Sequence, residues 1–323
     1  MSRDGPGLLL RDLGRDDPQI DAVAGVVAQI TPDILLLTDV DYDLDGLALD
    51  ALARRLGFSH SFALAPNTGV ATGFDLDGNG RLGEARDAQG YGRFSGDGGM
   101  AVLSRWPIDT DAVRDLSTLL WRDLPGATLP QGPLWSDDIA AMQRLSTTGH
   151  WMVPIAAPDG PVTLLAYSAT PPVFDGPEDR NGLRNRDELR LWTAVLDGSF
   201  GPAPIDFILL GNANLDPVDG DGLTDAMAAL LTDPRLIDPA PRSLGGAAAA
   251  DPDQTGDPAL DTADWPDGAP GNLRVSYVLP AATFTVTGAG VFWPAPDDPD
   301  AALLGDDGLA AGPHHLVWTE VRR

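Results

Sequence analysis

Apolar residues repeat along this chain in two periods, one helical and one of strand length. Ile20, Val23, Val27 and Ile30 fall on one helix face, and Asp16-Asp17-Pro18 supplies an acidic cap and a first-turn proline ahead of them. Pro32 ends that pattern. The run Ile34-Leu35-Leu36-Leu37 then reads as a strand covered on both faces, because no polar residue interrupts the aliphatic ones. A second helix is predicted over about Leu47 to Leu56, closed by Gly57, and a strand over Gly99 to Arg105, ended by Pro107. Val162 to Tyr167 reads as a buried strand, and Arg186 to Leu196 as a helix with Leu189, Trp192 and Leu196 inward. Leu273 to Leu279, Phe284 to Val286 and His315 to Val321 are strands as well. Helices and apolar strands alternate early and strands dominate late, which suits two packed sheets with outer helices. The Ala/Asp/Gly/Pro-rich stretch 245–271, and another at about 294–311, read as surface excursions.

The segment Phe207-Ile208-Leu209-Leu210-Gly211-Asn212-Ala213-Asn214 is an apolar strand that stops at a glycine and delivers two polar side chains. An acidic turn, Leu215 to Asp221, follows it. This strand end resembles the Gly-Asp-x-Asn of the endonuclease/exonuclease/phosphatase superfamily, the DNase I-like fold, with Asn212 in place of Asp. Ordered matches at Ser2 to Gly7, Pro32 to Tyr42, Gly99 to Ile108, Pro171 to Trp192, Gly211 to Asp216 and Leu273 to Pro280 extend the likeness over nearly the whole chain. The run Thr170 to Asn181 resembles a bacterial, often exported branch. The resemblance implies a four-layer α/β sandwich, two mainly antiparallel sheets flanked by helices, as a single domain over residues 1–323. It also implies a first strand just upstream of Ser2-Arg3-Asp4 that this chain lacks. The expectation is either further residues ahead of Met1 or partial cover of the gap by Gly7-Leu8-Leu9-Leu10. Export follows from the branch, although Met1 to Gly7 shows no basic region leading into an apolar one.

The chemistry the resemblance implies is phosphate-ester hydrolysis, with carboxylates holding Mg²⁺, an Asp-oriented His at phosphorus and an Asp activating water. Position by position, this chain departs from it. Asp39 stands where the metal-ligand Glu belongs, and keeps the charge on a shorter arm. Ser168 stands for the catalytic His and cannot supply an imidazolium charge. Asn212 replaces the water-activating Asp, while Asn214 is retained. Ser276 stands where Arg-Val-Asp-Tyr carries its Asp, and Pro313-His314 replaces Asp-His, so His314 survives without its acidic neighbour. Ser168, Asn212, Ser276 and Pro313 strike different roles, and each such loss typically costs about a hundredfold or more in rate. If the alignment holds, Asp39, Ser168, Asn212, Asn214, Ser276 and His314 converge in one cleft and Mg²⁺ binding there is weak.

A second signal is independent of the first. Asp75-Leu76-Asp77-Gly78-Asn79-Gly80-Arg81 spaces oxygen-bearing side chains at alternate positions with glycine at the sixth, the first half of an EF-hand type Ca²⁺ loop. Asp75, Asp77 and Asn79 would offer side chains and Arg81 its carbonyl. Arg86 occupies the place of the bidentate acid, so Glu84 or Asp87 would substitute. The plain alternative is an acidic Asx/Gly turn. Asp216, Asp219 and Asp221 are read as solvated loop charge.

Composition narrows the functions. There is no cysteine, hence no disulfide, thiolate metal site or cysteine nucleophile, and no lysine, since all 21 basic residues are Arg. A formal charge of −27 opposes avid binding of nucleic acid through a broad basic surface. It leaves open a phosphate-bearing small molecule or a protein partner. No apolar stretch is long enough to span a bilayer. Three readings stand: a binding or scaffold protein that has lost the family chemistry, an active Mg²⁺- or Ca²⁺-dependent phosphoesterase with re-sited groups, and a cation-stabilised structural domain.

Overall fold

The computed structural model describes residues 1–266 and 270–323. Helix α1 (Leu8–Leu13) leads into α2 (Pro18–Ile30), β1 (Ile34–Val40), α3 (Leu47–Leu56), β2 (His60–Phe62), β3 (Gly99–Ser104) and β4 (Arg114–Asp115). Then come α4 (Asp137–Ala140), β5 (Gly149–Ile155), β6 (Val162–Ser168), α5 (Arg180–Leu196), β7 (Phe207–Asn212), α6 (Asp225–Leu231) and α7 (Leu244–Ala248). Strands β8 (Ser276–Pro280), β9 (Thr285–Val291) and β10 (Val317–Arg322) close the chain.

The strands form a five-stranded sheet in the order β4-β5-β6-β7-β8, a three-stranded sheet β1-β3-β2 and a ladder β10-β9. Among the strands of the described residues only β6 and β7 pair in parallel, joined by the crossover through α5. Packed face to face and flanked by helices, these make the expected α/β sandwich, with one of its two sheet layers divided between β1-β3-β2 and β10-β9. The apolar patterns explain the layers. On β1, Leu35 and Leu37 pack outward against Val27 and Ala53 or their neighbours, while Ile34 and Leu36 turn inward to the main core. The Asp17 carboxylate caps α2 by accepting the Ile20 N–H at 3.0 Å, and Gly57 ends α3 at φ 78°.

Four readings of the sequence change. Gly7 to Leu10 does not lie along the sheet: Leu8–Leu13 is a helix, and Leu9 is buried with Ile20, Val40 and Leu52. Helix α5 begins at Arg180, one and a half turns earlier than its apolar face suggests, because its first turns bury polar side chains. Strand β5 was not visible as a pattern, since Gly149 and Pro154 interrupt it, yet it pairs with β6 along its full length. The stretch 245–271, of which residues 267–269 lie outside the described ones, is less superficial than expected: Asp261 and Thr262 are buried.

The polar side of α5 ties the sandwich to the loops at one end of the five-stranded sheet. Glu188, fully buried, accepts the Thr147 N–H at 2.5 Å and the Thr170 N–H at 2.7 Å. Arg184 donates to the carbonyls of Leu145, Arg144 and Ser146, and Asn185 to those of Thr170 and Ala213. Burial pushes the Glu188 carboxyl up to about 7, against the opposing pull of Arg184 and the two N–H donors. Replacing Glu188 by Ala orphans two buried N–H groups at about 1–3 kcal/mol each, so a loss of about 2–6 kcal/mol is expected in urea unfolding. A carboxyl raised from 4.5 to about 7 on folding favours the native state most below pH 4.5 and loses that contribution as pH rises through about 7. The stability gap between the native chain and Glu188→Ala should therefore widen as pH falls across that window.

Candidate functional site

Strand register builds the site. Ser168, the last residue of β6, lies directly beside Asn212, the last of β7, and Asn212 lies directly opposite Ser276, the first of β8. The three side chains form a row across adjacent strand ends. They continue the face on which Leu164, Ile208, Leu210 and Val278 look across at the other sheet. Asp39, at the end of β1, and Pro313 and His314, just ahead of β10, line the same cavity from the opposite layer, and Asn214, two residues past the end of β7, lines it beside the row. All six positions that the resemblance picked out are among the residues lining this one cavity.

Local backbone geometry aims several of them. Asp39 has φ 56° and falls at an irregularity in the β1–β3 register, between Thr38 and Val40, which turns its side chain off the ladder. Asn214 sits at φ 50°, a conformation Asn tolerates through local hydrogen bonding. Its N–H reaches the Asn212 Oδ1 at 2.9 Å, its Nδ2 reaches the Ala169 carbonyl at 2.7 Å, and the Asn212 Nδ2 reaches its Oδ1 at 3.2 Å. The two amides are therefore coupled to each other and to the end of β6. Ser276 is fixed by its N–H, which donates to the buried Thr262 Oγ1 at 3.0 Å. Pro313 contributes only its carbonyl, to the Asp264 N–H at 2.8 Å.

Charge is sparse in this row. Asp39 is the one family position that carries a carboxylate, and its side chain is exposed. Although the side chain is open to solvent, the surrounding cavity walls partly desolvate the carboxyl and oppose ionisation; the Met1 ammonium, 3.4 Å from Oδ2, and hydrogen bonds from Ser2 outweigh this and hold the carboxyl below its usual range. Burial pushes the His314 imidazole down, against a weaker upward pull from Asp39, so the ring is neutral. It stands edge-on to Trp265 with centroids 5.2 Å apart, and its Nδ1 is buried without a hydrogen-bond partner. The carboxylate of Asp41, two residues on from Asp39, is buried and accepts the N–H groups of Arg3 and Gly98. Asp216 likewise is buried rather than solvated, accepting from Arg274, Val218 and Asp219, while Asp219 holds Thr255 and Gly256.

The 75–87 loop folds into a compact unit. Asp75 accepts the N–H groups of Gly78, Asn79 and Gly80, with Gly78 and Gly80 at positive φ. Of the two substitute acids, Asp87 is the one drawn in: oxygens of Asp75, Asp77 and Asp87 all lie within 4.8 Å of one another. Glu84 instead accepts from Asn79 Nδ2 at 2.6 Å and from Arg81 at 3.4 Å. Asn79 turns its Oδ1 to the Arg81 N–H at 2.8 Å. Among the described residues this is the only group of three or more acidic or imidazole side chains so close.

The sequence reading missed the supporting residues Arg184, Asn185 and Glu188, and also Arg180, which lines the cavity and donates to the Leu76 carbonyl at 3.1 Å. The available signal was an unusually polar stretch, Arg180 to Arg190, within a helix whose other face is apolar.

Two sheets packed between helices, with a cleft at their strand ends, define a DNase I-like α/β sandwich. The sequence matches the model of the endonuclease/exonuclease/phosphatase family over residues 7–311, and the chain belongs to that family. Its fold is similar to an endonuclease/exonuclease/phosphatase from Beutenbergia cavernae DSM 12333, with a TM-score of 0.56 at 17% identity over 100% of this chain and 68% of that one. It is similar also to family proteins from Bacteroides thetaiotaomicron (0.52, 12%, 99% and 93%) and Bacteroides vulgatus (0.51, 11%, 99% and 95%). Identities this low speak for the fold alone. No curated protein matches the sequence.

The His314 environment yields a direct check. In NMR titration the midpoint of its ring protons should fall below pH 6.5, and Asp39→Asn, which removes the upward pull, should lower it further.

Proposed function

We propose that this chain is a non-hydrolytic member of its family, one whose cleft binds a phosphate-bearing small molecule without cleaving it. The observation that carries the proposal is the row Ser168–Asn212–Ser276, three neutral side chains in register across the strand ends that face Asp39. Mg²⁺ takes oxygen ligands in a near-octahedral set and relies on carboxylates and substrate phosphates. A single exposed carboxylate beside two hydroxyls and two mutually bonded amides does not fit that requirement. The family's water-activating carboxylate and charged imidazole are replaced as well: an amide at Asn212 takes no proton, and a hydroxyl at Ser168 carries no positive charge for a phosphoryl oxygen. What remains suits recognition, since hydroxyls, amides and the nearby Arg180 guanidinium donate to phosphate oxygens.

The test is phosphate release from nucleotides, sugar phosphates and DNA, with Mg²⁺ and with EDTA. The expected rates are equal and at background. Mg²⁺-dependent turnover that Asn214→Ala abolishes would establish the alternative, an active phosphoesterase with re-sited groups. In parallel, a non-hydrolysable phosphate monoester should protect the chain thermally, and Arg180→Ala should weaken that protection about tenfold or more in ligand concentration.

For the 75–87 loop we propose Ca²⁺ as a structural ligand held by Asp75, Asp77 and Asp87. Support comes from three carboxylates at one point, within the span that oxygens about 2.3–2.6 Å from a shared ion occupy. Ca²⁺ at a hundred times its dissociation constant stabilises by about 2.7 kcal/mol, so the melting temperature should rise with Ca²⁺ and fall back with EGTA. Asp87→Asn should abolish that response. An unchanged melting temperature across millimolar Ca²⁺ would leave the loop as an acidic turn.

A further inference from the structure

Asp261 has 1% of its surface exposed, and the hydrogen bond it accepts comes from an amide: Gln254 Nε2 donates to its Oδ2 at 2.6 Å. The ionisable groups that face it are mostly acids. Asp216 and Asp219 approach from the turn after β7, and Asp257 from its own loop. Arg242 is engaged by Asp257 at 2.7 Å and Arg274 by Asp238 at 2.6 Å. His315, whose N–H donates to the Thr262 carbonyl at 2.8 Å, is neutral because burial pushes its imidazole down to about 3. The setting is also short of a donor, since Gln254 Oε1 is buried without a hydrogen-bond partner. A carboxyl placed so keeps its proton: burial, joined by the charges of Asp216, Asp219 and Asp257, pushes it up to about 7 against the Gln254 amide.

Two segments depend on this residue. Residues 251–257 form a largely exposed strap laid on the acidic turn. Asp219 accepts the Thr255 N–H at 2.8 Å, the Thr255 hydroxyl at 2.6 Å and the Gly256 N–H at 2.9 Å, and Gln254 carries the latch to Asp261. Beneath the strap, residues 261–264 stitch the two sheet layers together beside the cleft. Thr262 Oγ1 accepts the N–H groups of Val275 and Ser276 at 2.9 and 3.0 Å, so it supports the first residue of β8. On the other layer the Thr262 carbonyl takes the His315 N–H, the Asp264 N–H reaches the Pro313 carbonyl at 2.8 Å, and Ala263 bridges both Leu273 and His314.

We propose that Asp261 is a proton-operated latch: with its proton the strap 251–257 and the stitch 261–264 close over the acidic turn, and without it repulsion from Asp216, Asp219 and Asp257 releases the strap and loosens the support of Ser276. The strap is the part that yields, because it is exposed and held by a few bonds, whereas the sheets beneath it are closely packed. The sign follows from linkage. A carboxyl raised from 3.8 to about 7 in the closed form stabilises that form most below pH 3.8, loses the contribution as pH rises through about 7, and changes little above it. With an ordinary carboxyl in the open strap, opening increases on the order of tenfold to a hundredfold between pH 5 and pH 8. The cleft residue Ser276 thereby becomes sensitive to pH although it does not itself titrate.

The experiment is amide hydrogen exchange of the full chain between pH 5 and pH 8, expressed as protection factors so that the intrinsic pH dependence of exchange drops out. Leu165 and Val153, inside the five-stranded sheet, serve as references that carry any global change, including that from Glu188. Toward pH 8, Thr255, Gly256 and Ser276 should lose at least tenfold more protection than these references. Asp261→Asn keeps an acceptor for Gln254 and cannot ionise, so its strap should lose no more than the references do. A strap in the native chain that merely follows the references overturns the proposal, and so does an equal excess loss in Asp261→Asn. Carboxyl ¹³C titration of the native chain gives a reading independent of any variant: the Asp261 midpoint should coincide with that of the strap's loss of protection, and a midpoint below pH 5 overturns the latch.

Discussion

The register of β6, β7 and β8 is the constraint on which the site depends. Because side chains alternate across a strand, a slip of one residue in either pairing would send Ser168, Asn212 or Ser276 into the helix layer and bring Tyr167, Gly211 or Tyr277 to the cleft. Burial on both faces prevents that slip. Tyr167 packs against Trp192 and His150 on one side, and Tyr277 anchors its hydroxyl on the carbonyls of Leu215 and Arg274. Gly211 admits the close approach of Tyr167, whose carbonyl would lie 2.1 Å from any Cβ there.

Around that row, α5 acts as a polar clamp within an otherwise apolar layer. The carboxylate of Glu188 joins the strand end at Thr170 to the loop at Thr147, and Asn185 joins Thr170 to Ala213. These bonds hold the segments that carry Ala169 and Asn214 although the side chains of the cleft itself are small and neutral. Buried polar groups therefore hold the backbone at the strand ends, while the side chains of the row Ser168–Asn212–Ser276 are small and neutral.

Net charge and local charge point in different directions, and both matter. The whole molecule is strongly acidic, yet the row at the strand ends is neutral, and its one family carboxylate faces an ammonium. Acidity is concentrated instead in surface turns such as Asp75–Asp87, where backbone N–H groups stabilise it.

Much of this was written in linear patterns. The helices at Pro18–Ile30 and Leu47–Leu56 and the strands ending at Ser168 and Asn212 follow from spacing, caps and punctuation, because those signals are local. The neutral identity of the site residues followed too, once the strand ends were aligned to a family. Other features depended on partners far away in the chain. That Leu8–Leu13 is a helix was settled by Ile20, Val40 and Leu52, which bury Leu9. Asp41 and Asp216 became structural acceptors only because distant N–H groups needed them, and Asp87 rather than Glu84 joined Asp75 because the chain turns through Ala85–Asp87. The edges of β1 and β10, each paired on one side among the described residues, are the clearest case. Neither strand's sequence distinguishes a paired edge from an open one, since that property belongs to the neighbour and not to the strand.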